Sequence, residues 1–309
     1  METQCLFELG RRLSNSRATS ARAQPRPALR AIQRGVTLIE LLVGIAIGLL
    51  VVAVAMGALM VSRGVSGTVS DASSTQQQAA YVMRVVGMQL RQAGSLRLNL
   101  NPGTATTEAL YMAPVGFETS APAQGTGNAF TPSSDTISGT ASPVTLTVGY
   151  RRYTDPVFIS AAQQSTARNC VGGPNDASVD QALTSAFQLV GSELRCSGNG
   201  AAAQPIAQNV ANFWVRYLVQ NTTATPGVPT IRQVDAAAVT NWAQVQAVEV
   251  CIVLYGTEPL DLPAGSTYTD CDGTLVDMTT LAGQRARRMH LAYRNVFQLR
   301  SQGLLGSVL

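Results

Sequence analysis

The chain has 309 residues, no lysine and a single histidine, His290. That inventory removes the phosphate-binding lysine of nucleotide sites and all Schiff-base chemistry, and neither G-x-S-x-G nor H-E-x-x-H occurs. The formal charge of +4 is misleading: Arg11, Arg12, Arg17, Arg22, Arg26, Arg30 and Arg34 face only Glu2 and Glu8, so residues 1–34 carry +5 and the rest −1, and the body offers no basis for nucleic-acid binding.

Residues 34–61 read as one arginine, one glycine and an apolar run broken by a single acid, Glu40. A carboxylate at mid-membrane costs about 2.5–3.5 kcal/mol, so this one needs a partner or a position near an edge. Leu41–Val61 is uncharged throughout; at about 1.5 Å per residue it spans roughly the ~30 Å core of a bilayer. Positive charge before such a helix holds the N-terminus in the cytoplasm and sends the remainder to the periplasm or beyond. Three fates compete: secretory cleavage after Ala53-Val54-Ala55, a permanent signal anchor, or a cut between Gly35 and Val36. A secretory h-region is ~7–15 residues long and rarely holds a glutamate, which favours the third.

Arg34-Gly35-Val36-Thr37-Leu38-Ile39-Glu40-Leu41-Leu42-Val43 closely resembles the prepilin motif of type IV pilins and type II secretion pseudopilins. The resemblance implies a leader, residues 1–35, removed by a prepilin peptidase that then methylates the new N-terminus at Val36. Two departures stand out: the usual first mature residue is phenylalanine rather than valine, and short leaders are common among type IVa pilins. After the cut, Glu40 lies in the first turns of a helix, where the dipole favours negative charge by about 0.3–1 kcal/mol. The Val36 amine supplies an opposite charge, in cis or from a neighbour, and in pilins the trans pairing sets subunit stagger; Glu40 is thus the candidate docking residue. Gly44 and Gly48 permit close helix approach.

Residues 36–61 therefore form a membrane or filament-core helix, and residues 62–100 its amphipathic continuation. Val65, Val69, Ala72, Ala79, Met83, Val86, Leu90 and Ala93 make the stripe, with Arg63, Asp71, Gln77, Arg84 and Arg91 off it. Gly94 marks a weakening or end and Asn101-Pro102-Gly103 a stop. The stripe needs a sheet to cover it. Residues 101–309 form the globular part, opening with a Gly/Pro/Ser/Thr-rich connection over 101–143 that holds one short strand near Ala109–Val115. Alternation predicts strands at Val144–Tyr150, Phe213–Val219, Val248–Leu254 and Met289–Leu299, with a short helix from Ala236 to about Trp242 capped by Asp235.

Leu90-Arg91-Gln92-Ala93-Gly94, the Asn209–Tyr217 run, Trp242–Val248 and Arg287-Arg288-Met289-His290 followed by Tyr293-Arg294-Asn295-Val296 are similar to PilW-type minor pilins; residues 101–205 match poorly. The resemblance implies an α+β, type IV pilin-like fold, a long N-terminal helix packed on a mainly antiparallel sheet. It also implies a role with other minor pilins in initiating pilus assembly, at or near the tip. The implied partners are the prepilin peptidase, other minor pilins, the major pilin, a tip adhesin and the inner membrane; no cofactor is implied. The rivals are a GspJ-like pseudopilin of type II secretion and a signal-anchored adhesin.

Cys5 leaves with the leader, so Cys170, Cys196, Cys251 and Cys271 remain, an even number for an oxidising compartment. Three pairings are open; the local one, Cys170–Cys196 with Cys251–Cys271, is preferred, each worth roughly 3–4 kcal/mol on a chain-entropy model. Asp270, Asp272 and Asp277 suit an ordinary turn as well as a cation and lack the full EF-hand spacing, so no metal site is assigned. His290 falls inside a predicted strand, a structural or surface position, and no catalytic residue is assigned.

Overall fold

The computed structural model describes residues 35–95, 98–99, 116–117, 120–158, 160–221 and 230–299, and the chain divides into two compact units, residues 1–58 and 59–309. Helix α1 runs from Leu38 to Gln92. Its start has the capping-box sequence Thr37-Leu38-Ile39-Glu40, and the Thr37 hydroxyl accepts the Glu40 N–H at 3.3 Å. In the first unit every described residue is exposed, and α1 is long and apolar enough there to cross a membrane.

The second unit holds the rest of α1 and two antiparallel sheets. Sheet one is ordered β11-β10-β12-β15, with β10 Val210–Asn221, β11 Thr230–Val234, β12 Val245–Tyr255 and β15 His290–Gln298. Sheet two is ordered β3-β4-β7-β8-β9, with β3 Ile137–Ala141, β4 Val144–Arg151, β7 Ala182–Val190, β8 Glu193–Ser197 and β9 Gln204–Ala207. Among the described residues, two-stranded antiparallel pairs join β1 Leu98–Asn99 with β2 Gly116–Phe117, β5 Asp155–Val157 with β6 Ser160–Gln164, and β13 Thr267–Thr269 with β14 Leu275–Asp277.

One core joins three layers: Val82, Val86 and Leu90 of α1, Phe213, Val250 and Ile252 of sheet one, and Leu146, Phe187 and Leu194 of sheet two. Alternation explains β12. Val248, Val250, Ile252 and Leu254 enter this core, while Cys251 and Val253 on the opposite face join Tyr268 and Cys271 in a second cluster. Covered on both sides, β12 reads as a nearly continuous apolar strand.

The four strands expected from alternation are β4, β10, β12 and β15, and the long helix on antiparallel sheet is the observed architecture. Several details differ. The amphipathic helix predicted to reach residue 100 stops at Gln92, because Gly94 turns left-handed at φ 64° and its N–H bonds the Gly149 carbonyl of β4 at 2.8 Å. The stripe also shifts near its beginning: Val65 and Val69 are exposed, whereas Asp71 and Thr75 are buried. The Asp235 helix is replaced by two 3-10 turns, Ala236–Ala238 and Trp242–Gln244, and Asp235 makes no side-chain cap. Instead Asn241 accepts the Ala243 N–H at 3.0 Å. The connection drawn over 101–143 contains a helical turn at Pro132–Asp135 and all of β3. The strand proposed near Ala109–Val115 lies outside the described residues.

Candidate functional site

Gly35, Val36 and Thr37 precede the first helical residue and are exposed, and nothing lies within 4 Å of where a Gly35 side chain would stand. A non-helical, accessible Gly–Val bond is a form that a protease can read, since a helix must be locally opened first. Three residues on, Glu40 occupies position N3 of α1, beside the unpaired N–H groups of the first turn. The run from Leu38 to Val61 leaves its large apolar side chains about half or more exposed, a surface that only lipid or other apolar helices can cover.

The second unit supplies the groups that fix the body. Asp71 projects into the segment following β12: one carboxylate oxygen accepts the Thr257 hydroxyl at 2.8 Å and the other accepts the Glu258 N–H at 2.7 Å. Gly256 is required beside it, because a Cβ there would meet Asp71 Oδ2 at 2.5 Å. Further along, Gly87 lets α1 press onto β15, where a Cβ would come within 2.6 Å of Phe297. Gln89 accepts the Ser185 hydroxyl of β7 at 2.9 Å. These polar attachments were not visible as a pattern; a carboxylate and a threonine at i,i+4 leading into Ala79 were the available signal.

Cys170 is bonded to Cys196 of β8, and Cys251 of β12 to Cys271 in the β13–β14 hairpin. The second bond holds residues 256–289 over the outer face of sheet one. The first anchors the segment between β6 and β7, which also wraps the buried Arg152. That guanidinium donates to the carbonyls of Asn175, Asp176 and Ser178, and its burial lowers its pKa against the opposing pull of Asp180. Tyr150 donates to the Arg168 carbonyl, and burial pushes its hydroxyl up to about 12.

The other candidates resolve into local structure. Asp272 and Asp277 each accept the N–H and hydroxyl of a threonine two residues on, Thr274 and Thr279, and these bonds hold both carboxyls below their usual pKa. Asp270 accepts from Asn212 and from the Cys271 N–H. No metal-binding group of these residue types occurs among the described residues. His290 is buried, stacked on Tyr268 at 4.7 Å with its Nδ1 2.9 Å from the Arg288 carbonyl.

Residues 178–301, from just before β7 to just past β15, match the family model of the Type IV Pilus-assembly protein W. Residues 30–56 match the prokaryotic N-terminal methylation motif. The chain joins a PilW-type segment to a prepilin N-terminus. As such it is a membrane-anchored structural component of the type IV pilus and not an enzyme, and processing by a prepilin peptidase and association with other pilins go with the family. A solved type IV-like pilin from Thermus thermophilus is similar over 73% of this chain and 96% of that one, at 11% identity and a TM-score of 0.33. No curated protein matches the chain. Between these two matched stretches, residues 57–177 include β3 and β4, the latter being half of the β4–β7 pairing on which sheet two is built.

Proposed function

We propose that this chain is a priming subunit of the type IV pilus, assembling with other minor pilins into the complex that begins the filament and staying at or near its tip. The observation that carries the reading is the start of α1: an exposed Gly35–Val36 bond, a Thr37 cap, and Glu40 at N3 heading an uncovered apolar helix.

The basic leader holds the N-terminus on the cytoplasmic side. Cleavage after Gly35 creates an amine on Val36 and exposes it for methylation. In the membrane, the Glu40 carboxylate lies near the headgroup edge. On assembly it meets the Val36 amine of an adjacent subunit, so an ion pair in a low-dielectric bundle fixes the axial register. The apolar helices then cover one another, and residues 101–309 are presented outward to partner pilins or an adhesin.

Intact-mass analysis of the membrane-extracted protein tests the processing step. The expected mass begins at Val36 with one added methyl group; a chain beginning at Met56, or one retaining its leader, overturns the reading. Glu40→Ala tests the register step. It is expected to be cleaved and inserted normally yet to lower pilus number, and normal piliation in that variant removes the role given to the carboxylate.

A further inference from the structure

A cleft of about 260 Å³ lies beside the end of β12, lined by Asn209, Tyr255, Gly256, Thr257, Gln284 and Arg288. Arg288 is half-buried, and its Nη1 is shielded from solvent with no hydrogen-bond partner. A buried guanidinium donor without an acceptor is costly and calls for a missing anion or polar ligand. Of the acids nearby, Asp71 uses both oxygens on Thr257 and Glu258, Asp261 pairs with Arg287 at 3.1 Å, and the exposed Glu258 makes no ion pair with Arg288. Arg287 sits in the left-handed region at φ 53°, which separates the two consecutive arginines, one toward Asp261 and the other into the cleft. Tyr255 donates to Gln284 Oε1 at 3.3 Å, leaving the Gln284 amide nitrogen and the Asn209 amide as neutral donors. Among the described residues, Arg288 has no acidic partner.

We infer that this cleft receives the carboxylate of an acidic side chain from a neighbouring pilin, an inference that rests on the assembly reading above. The cleft is smaller than the ~300–1,000 Å³ usual for small-molecule sites, and it suits one side chain. Its single free cation matches a monoanion through a bidentate fork. A dianionic phosphate would in addition face the Asp71 carboxylate that sits behind Thr257.

The test places a photo-reactive benzoylphenylalanine at Gln284 of the full-length chain in its own membranes, with a second probe at Val52 in the apolar helix. The expected result is an adduct from position 284 to another pilin, through a peptide containing Asp or Glu, whose yield falls about tenfold or more in Arg288→Gln and partly recovers in Arg288→Lys. Undiminished yield in Arg288→Gln, an adduct to lipid, or no adduct at 284 while position 52 still captures pilins overturns the inference alone. Loss of capture at both positions overturns the assembly reading and the inference with it. Folding is controlled by the melting temperature. Arg288→Gln removes a shielded guanidinium donor that has no partner, so the isolated chain should melt at the same or a higher temperature; a fall of several degrees would make Arg288 a structural residue and sink the proposal.

Discussion

Asp71 of α1 and Thr257, 186 positions later, share a 2.8 Å hydrogen bond in which the threonine hydroxyl donates to the carboxylate. With the Glu258 N–H on the second oxygen, this carboxylate ties the helix to the segment that leaves β12. Removing it takes the acceptor from two partly buried, charge-assisted hydrogen bonds, one on each carboxylate oxygen. Asp71→Ala is therefore expected to destabilise the body by about 2–3 kcal/mol, and Asp71→Asn by less, since an amide oxygen still accepts. Chemical unfolding of the detergent-extracted chain measures this; an Asp71→Ala loss under ~0.5 kcal/mol would mean that water replaces both bonds.

Gly87 and Phe297 give a case in which two effects oppose each other. Alanine is the better helix former by about 1 kcal/mol, yet its Cβ would lie 2.6 Å from the Phe297 ring, and overpacking of this kind costs about 1–3 kcal/mol. The ring is buried against the core and has little room to withdraw. Gly87→Ala is expected to lower stability, and Phe297→Leu in that background to restore part of it. A stabilised single variant would show that the ring moves aside.

His290 makes stability depend on pH. Burial is the main cause of its lowered pKa, with Arg285 acting in the same direction and the Arg288 carbonyl and Asp270 opposing. Above the ordinary histidine value of about 6.5 both folded and unfolded chains are neutral there. As pH falls below it, the unfolded chain takes up a proton that the fold refuses, so stability declines until the folded-state pKa is passed. His290 is the only histidine. The midpoint of thermal unfolding should therefore drop between pH 7.5 and 5 in the wild type and drop less in His290→Gln; parallel curves would remove the assignment.

The Cys251–Cys271 bond closes a separation of 20 residues and holds the β13–β14 region over Val253 and Trp214. Replacing both cysteines by serine is expected to cost about 2–4 kcal/mol and to open residues 256–289 to proteases before the sheets unfold. Limited proteolysis with mass mapping reads the order directly, and a first cut elsewhere at unchanged stability would assign the bond no clamping role.

The start of the chain was legible because its physics is local. An arginine and a glycine, a carboxylate five residues past that glycine and a membrane-length apolar run act within a few turns. The alternation of β10 and β12 likewise reports burial on one face of a strand through immediate neighbours. β7 was missed because its Thr184 and Ser185 break the apolar pattern; they are accommodated by hydrogen bonds to Asn199 and, for the buried Ser185, to Gln89 of α1. The same limit hid the true face of α1 at Asp71, left three disulfide pairings open, and gave Asp235 a cap that it does not form. Periodicity and charge order act between residues close along the chain, so they set where this protein inserts and where its main strands lie. Which buried polar group finds a partner depends on contacts as far apart as the 96 positions between Gln89 and Ser185 and the 186 between Asp71 and Thr257, and these exist only once the sheets have closed on the helix.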